Sequence, residues 1–190
     1  MFKGFSIEKY KKMKPPSDNS FTTMQEIKEV NAIPMNKSSV KKYDEIETVF
    51  MDILKKNNAF KDKSIEKNTI TVLGSLIEKS YPIVKKLKDY FNRPRPKVIA
   101  KKMNIKIKDY ELPSMNTASY PSGHSVQGTL IAKVLSDKWP MLKGELIRAG
   151  KKISDSRRVA KAHYKSDSKL GELMGNDMYK YLKSKNKTLT

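Results

Sequence analysis

Between residues 44 and 182, apolar side chains recur at three- and four-residue spacing, in runs long enough for helices and separated by short polar or proline-bearing breaks. Ile46, Val49, Phe50, Ile53 and Leu54 put one stripe on a helix expected from Asp44 to about Asn57. Ile65 to Tyr81 forms a second helical region. Pro82 is expected to start or kink a further one through Val84, Leu87 and Phe91, because an interior proline removes a helix hydrogen bond. The segment Asn92-Arg-Pro-Arg-Pro-Lys97 ends it. From about Val98 to Tyr120 the periodicity lapses into a loop with Pro113 and several hydroxyl residues. A helix follows with Val126, Leu130, Ile131, Val134 and Leu135 on its apolar face, closed by Trp139 and Pro140. Met141 to about Ala162 and Ser166 to Leu182 give the last two helices, the second with Leu170, Leu173, Met174, Met178 and Tyr181 on one face. No strand-like alternation and no internal repeat interrupts the pattern, so the fold class is all-α and the stripes are its core.

Residues 1–40 differ in kind: prolines and lysines dominate, and only Thr23 to Val30 has the look of a short helix. They read as a basic N-terminal arm, with residues 41–190 as the helical domain. A chain of 190 residues suits one core around one site. Met1 to Ser20 lacks the continuous apolar region of a secretory signal, and no apolar stretch reaches the roughly 20 residues of a membrane span. The expectation is a soluble, cytoplasmic protein without a transmembrane segment.

Composition narrows the chemistry. Cysteine is absent, which removes disulfides, thiolate metal sites and a cysteine nucleophile. Two histidines are too few for the imidazole-rich site of a binuclear metalloenzyme, so no metal or other cofactor is expected. The formal charge of +20 attracts anions in general, nucleic acid included. Lysines are spread along the whole chain as a solvated coat, whereas Arg93, Arg95, Arg157 and Arg158 fall in two short segments. Planar, bidentate donors concentrated in this way suit a held oxyanion.

Three segments carry candidate chemistry: Lys88-Asp-Tyr-Phe-Asn-Arg-Pro-Arg95-Pro96; Pro121-Ser-Gly-His124; and Ser156-Arg157 followed by His163 and Asp167. Lys88, Arg95 and Arg157 offer cations to phosphoryl oxygens. Ser122 and the Gly123 amide add donors where a helix begins, an end that favours an anion. Asp167 follows His163 by four residues, on the same face if the helix is continuous, and could then fix the ring's tautomer.

The order and spacing of these segments resemble the three-part signature of the type 2 phosphatidic acid phosphatase (PAP2) superfamily, most closely its soluble class A bacterial nonspecific acid phosphatases. Ser119 and Tyr120, just before the second segment, are similar to that class too. The first segment admits two registers, Lys86 with Arg93 or Lys88 with Arg95. The class commonly carries an extra arginine two positions before the motif arginine, which favours the second. The resemblance covers about residues 85–170 and implies the helical bundle shared by PAP2 enzymes, acid phosphatases and vanadium haloperoxidases. It also implies hydrolysis of phosphate monoesters without a metal, through a phosphohistidine. By resemblance His163 is the nucleophile, His124 the general acid and base, and Asp167 the residue that orients His163; Lys88, Arg95, Ser122, Gly123 and Arg157 bind phosphate. Arg93 and Arg158 are further candidates for the pocket, while Tyr164 and Asp155 read as structural. The class is usually exported to the periplasm, a departure from the N-terminus seen here. The implied partner is a small phosphate ester. A rival reading keeps the PAP2 fold but gives the basic surface the main role, binding nucleic acid or another anionic partner; the oligomeric state is not readable.

Overall fold

Several helices begin where a side chain takes up their free backbone donors. In a computed structural model of the protein, which describes residues 1–185, the helices run in the order α1 (Glu8–Lys11), α2 (Phe21–Ala32), α3 (Lys37–Asp44), α4 (Ile46–Lys56), α5 (Lys63–Phe91), α6 (Pro96–Lys102), α7 (Gly123–Lys138), α8 (Lys143–Val159) and α9 (Lys165–Ser184). The end of the domain expected over 41–190 lies outside the described residues. Ser20 caps α2 by accepting from the Thr23 N–H at 3.1 Å, and Asp62 caps α5 by accepting from Ser64 at 2.8 Å and Ile65 at 3.0 Å. Ser122 caps α7. No strand occurs among the described residues, so the molecule is all-α.

Three sequence expectations are corrected. Pro82 neither starts nor breaks a helix: α5 runs through it without interruption. Its lost hydrogen bond is offset by burial of Leu73, Leu76, Val84 and Leu87 along one face of α5. The stretch after the proline-rich turn is not all loop, because Pro96 sits in the first turn of the short α6, where a missing N–H costs nothing. The chain ahead of α4 forms α3, which buries only Val40 and so leaves little periodic signal.

Helix α7 is the centre of the fold. Buried residues occur on all its sides, as expected of a helix enclosed by others. It packs along its length against α8 and α9 and is touched by α4 and α5. Three glycines allow backbone to meet backbone: a Cβ on Gly150 would lie 2.6 Å from the Gly128 carbonyl oxygen, one on Gly171 would lie 2.6 Å from that of Ser122, and one on Gly175 would lie 2.5 Å from that of Val126. The second contact draws the start of α9 against the start of α7. The Ser122 N–H donates to the Asp167 carbonyl at 3.1 Å, so the two histidine-bearing segments are joined through backbone.

Candidate active site

The ends of four elements meet at a cavity of about 210 Å³. Lys88 projects from the last turn of α5, Arg95 caps α6, Gly123 and His124 open α7, and His163 lies in the turn between α8 and α9. All five line the cavity, with Tyr81 of α5 beside them. Asn92, in the left-handed conformation (φ 45°), ends α5 and turns the chain so that Arg95 comes back towards Lys88.

His163 is 4% exposed and bonded at both ring nitrogens. Nδ1 lies 3.0 Å from Asp167 Oδ2, and Nε2 lies 2.9 Å from Arg95 Nη1. An arginine can only donate. Nε2 therefore presents a lone pair, and the proton sits on Nδ1, donated to Asp167. Burial and the neighbouring Arg95 charge push this imidazole well below its ordinary pKa, against the pull of Asp167, so it stays neutral. Asp167 is wholly buried and also accepts from Ser119 Oγ, the Tyr164 N–H at 3.0 Å and Arg93 Nη1 at 2.7 Å. Burial alone would raise its carboxyl; the bond from His163, with Arg93 and Ser119, outweighs that and holds it below the ordinary range.

Arg95 uses every N–H it has. Nε donates to the Thr117 carbonyl at 2.9 Å, Nη2 to the Ser114 carbonyl at 2.9 Å and to Thr117 Oγ1 at 3.4 Å. Nη1 serves the Ala162 carbonyl at 2.9 Å as well as His163. Lys88 donates to the Ala118 carbonyl. Burial, together with the charge of Arg95, lowers the Lys88 ammonium to about 7. Lys86 is exposed, so the structure brings the Lys88 and Arg95 pair to the cavity.

His124 has different company. Its Nε2 lies 3.1 Å from Asp44 Oδ1 and 3.2 Å from the Asp44 carbonyl, both acceptors, so this nitrogen carries a proton. Burial lowers its pKa and Asp44 works against that. Asp44, at the end of α3, also accepts from Arg157 Nη1 at 2.6 Å, and that atom stands 3.5 Å from His124 Nε2. The bond to His124, with the Arg157 charge, holds the Asp44 carboxyl below its usual range.

Several expected positions differ in detail. His163 precedes α9, so its alignment with Asp167 comes from a turn in which Asp167 reaches back to the Tyr164 N–H, and no continuous helix links them. Ser122 is fully buried as the cap of α7 and does not line the cavity. Arg157 is buried behind His124 and paired with Asp44. Arg93 does not face the cavity; it lies buried between Asp167 and Glu26. Arg158 pairs with Asp155 at 2.7 Å, away from the site. Asp44 and Glu26 escaped the sequence reading, since a lone carboxylate in a charged chain gives no signal of its long-range partner.

The profile of the PAP2 superfamily matches residues 69–176, more than half of the chain. The chain belongs to the PAP2 superfamily. A non-specific acid phosphatase of Salmonella typhimurium is 36% identical over 109 residues, which are 57% of this chain and 41% of that protein. One of Salmonella typhi is 38% identical over 88 residues, 46% of this chain and 35% of that protein. The chain thus spans less than half the length of these two relatives. A crystal structure of a transmembrane PAP2 type phosphatidylglycerolphosphate phosphatase from Bacillus subtilis shares the fold, with a TM-score of 0.60 at 17% identity, covering 98% of this chain and 96% of that one. That likeness overturns the cytoplasmic location expected from the N-terminus: the same PAP2 fold occurs in a membrane enzyme, so neither fold nor N-terminus assigns a compartment. Among the described residues no helix is long and apolar enough to cross a membrane.

Proposed function

We propose that this PAP2 protein hydrolyses small phosphate monoesters, without a metal, through a phosphohistidine formed on His163. The observation that carries the reading is the hydrogen-bond pattern of that ring: Nδ1–H is tied to a buried carboxylate while the Nε2 lone pair points to the cavity beside Lys88 and Arg95. The names of the Salmonella relatives support the same activity.

The substrate phosphoryl group enters the cavity and takes Arg95 Nη1 from His163, which frees Nε2. Lys88 and Arg95 neutralise the phosphoryl oxygens, with the Gly123 amide at the start of α7 favouring the same negative charge. Arg157 acts from behind His124. Nε2 attacks phosphorus, the bond from phosphorus to the ester oxygen breaks, and His124, entering as the imidazolium, gives that oxygen a proton and becomes neutral. The new Nε2–P bond leaves the ring positively charged, which Asp167 offsets through Nδ1. A water then enters, His124 takes one of its protons, the resulting oxygen attacks phosphorus, and the Nε2–P bond breaks to release inorganic phosphate and neutral His163. The cation charge that a metal supplies in other phosphatases is supplied by Lys88 and Arg95.

The purified protein is expected to hydrolyse p-nitrophenyl phosphate undiminished in excess chelator and to be inhibited by vanadate. Loss of activity on chelation, restored by a divalent ion, would overturn the metal-free mechanism.

A further inference from the structure

Behind His163 lies a buried ionic group that the proposed chemistry does not call on. Glu26, in the middle of α2, is 7% exposed although it belongs to the basic N-terminal residues and precedes the segment that matches the superfamily. Its Oε1 accepts from the Ser166 N–H at 2.6 Å; its Oε2 accepts from the Ser166 hydroxyl at 2.8 Å and from Arg93 Nη2 at 3.1 Å. Arg93 turns its other amino group inward, and Nη1 donates to Ser166 Oγ and Asp167 Oδ1, both at 2.7 Å. The guanidinium is fixed from one face by the Tyr164 ring, 3.8 Å away. Glu26, Arg93, Asp167 and His163 therefore form one line, each within hydrogen-bond distance of the next.

The same helix is held at its far end. Lys161, buried and in the left-handed conformation (φ 60°) in the turn between α8 and α9, donates to the Val30 carbonyl at 2.6 Å and to that of Ile33. A cation there also matches the negative C-terminal end of α2. Helix α2 thus grips the turn from Lys161 to Asp167 with one buried charge near each end of that turn. Packing alone would be met at lower cost by an apolar side chain at position 26, since burying a carboxylate is unfavourable unless it is paired and hydrogen-bonded.

We propose that Glu26 is a positioning residue for His163: it fixes the Arg93 guanidinium, Arg93 fixes the Asp167 carboxylate, and Asp167 holds the Nδ1–H and with it the orientation of the ring. Helix α2 is then part of the active site. The catalytic consequence rests on the nucleophilic role proposed for His163; the geometric one does not.

Two histidines make the test direct, because the protein labelled with ¹⁵N-histidine gives two imidazole patterns, assigned with His124→Gln. Wild-type His163 is expected to show one tautomer, protonated at Nδ1. In Glu26→Gln the Nδ1–H proton should move upfield and exchange faster with solvent as its bond to Asp167 loosens, while Arg95 still holds the tautomer and His124 is unchanged. Phosphorylation by p-nitrophenyl phosphate in a single turnover should slow about 10- to 100-fold with KM little altered. Glu26→Asp, which keeps the charge, should recover part of the rate, a rescue that a purely structural role would not produce. An unchanged His163 pattern and a phosphorylation rate within about twofold of wild type in folded Glu26→Gln overturn the proposal. If that variant does not fold, Ser166→Ala, which removes only the hydroxyl link, is read by the same two outcomes. If the wild type forms no phosphoenzyme, the nucleophilic reading fails, and the imidazole pattern alone decides for or against the positioning.

Discussion

The two histidines of this chain face the same cavity, and each has a carboxylate partner, yet their surroundings are opposite. His163 is nearly sealed: Asp167 is 0% exposed and itself held by Ser119, Arg93 and the Tyr164 N–H, while Nε2 meets a donor. His124 keeps 18% of its side chain exposed, its Asp44 partner keeps 27%, and its Nε2 meets acceptors. A ring whose outer nitrogen faces a donor offers a lone pair; one whose nitrogen faces acceptors holds a proton. Hydrogen-bond partners thus divide one residue type into a candidate nucleophile and a candidate acid.

The comparison breaks most sharply on the histidines themselves. His163→Ala is expected to lose turnover by about 10⁴-fold or more and to form no phosphoenzyme. His124→Ala should lose about 10²- to 10⁴-fold on esters with poor leaving groups and much less on p-nitrophenyl phosphate, which needs little proton assistance. Rapid-quench trapping of an acid-labile, base-stable phosphoprotein checks both; label in His163→Ala but not in His124→Ala would reverse the assignment.

The carboxylates should differ in the same order. Asp167→Asn removes the acceptor that holds the Nδ1 proton, and a loss of about 10³- to 10⁴-fold is expected. Because it also strips a buried partner from Arg93, urea denaturation should show destabilisation of about 3–5 kcal/mol. Asp44→Asn should cost about tenfold. It removes a group that favours protonated His124, so the fall of kcat with rising pH on an alkyl phosphate should move to lower pH. Equal losses from the two substitutions would erase the distinction between the sites.

A smaller effect is the pH profile of the wild type. Lys88 must be charged to hold phosphate, and its ammonium is lowered to about 7 by burial and Arg95. His163 must be neutral, and its pKa is pushed well below the ordinary imidazole value. Activity is therefore retained into mild acid and lost as pH rises through the Lys88 value. The kcat/KM profile on p-nitrophenyl phosphate, which needs little proton assistance from His124, should fall above about pH 7 and fall no earlier on the acid side than the depressed His163 value. On an alkyl phosphate the lowered His124 pKa should bring the alkaline fall in earlier. A profile that rises through pH 7 would contradict the charged role of Lys88. The smallest effect expected is that of Lys86→Ala, within about twofold of wild type, against severe impairment in Arg95→Lys, where the bidentate fork is lost.

The sequence by itself determined the helical class, because apolar spacing records which face of each helix is covered, and it marked the short motifs, because spacing along a chain is kept in the fold wherever the segment is local. Pro121 to His124 is one helix start, and Ser156 to Asp167 is one helix end, a turn and the next helix start. Even the choice between Lys86 and Lys88 was open to sequence only by analogy; burial of Lys88 separates them. Tertiary structure alone decided the rest. Asp44 reaches Arg157 across 113 positions and Glu26 reaches Arg93 across 67, distances at which composition and periodicity carry no information. Arg93 was a candidate for the pocket that the sequence could not decide, and the turn at Asn92 sends it behind the site. Helix α5 passes Pro82 because the apolar contacts along its face outweigh one missing hydrogen bond, a balance set by the neighbours that cover that face. Local order in the chain determines which groups are available, and the packing of helices that are distant in sequence determines which of them meet.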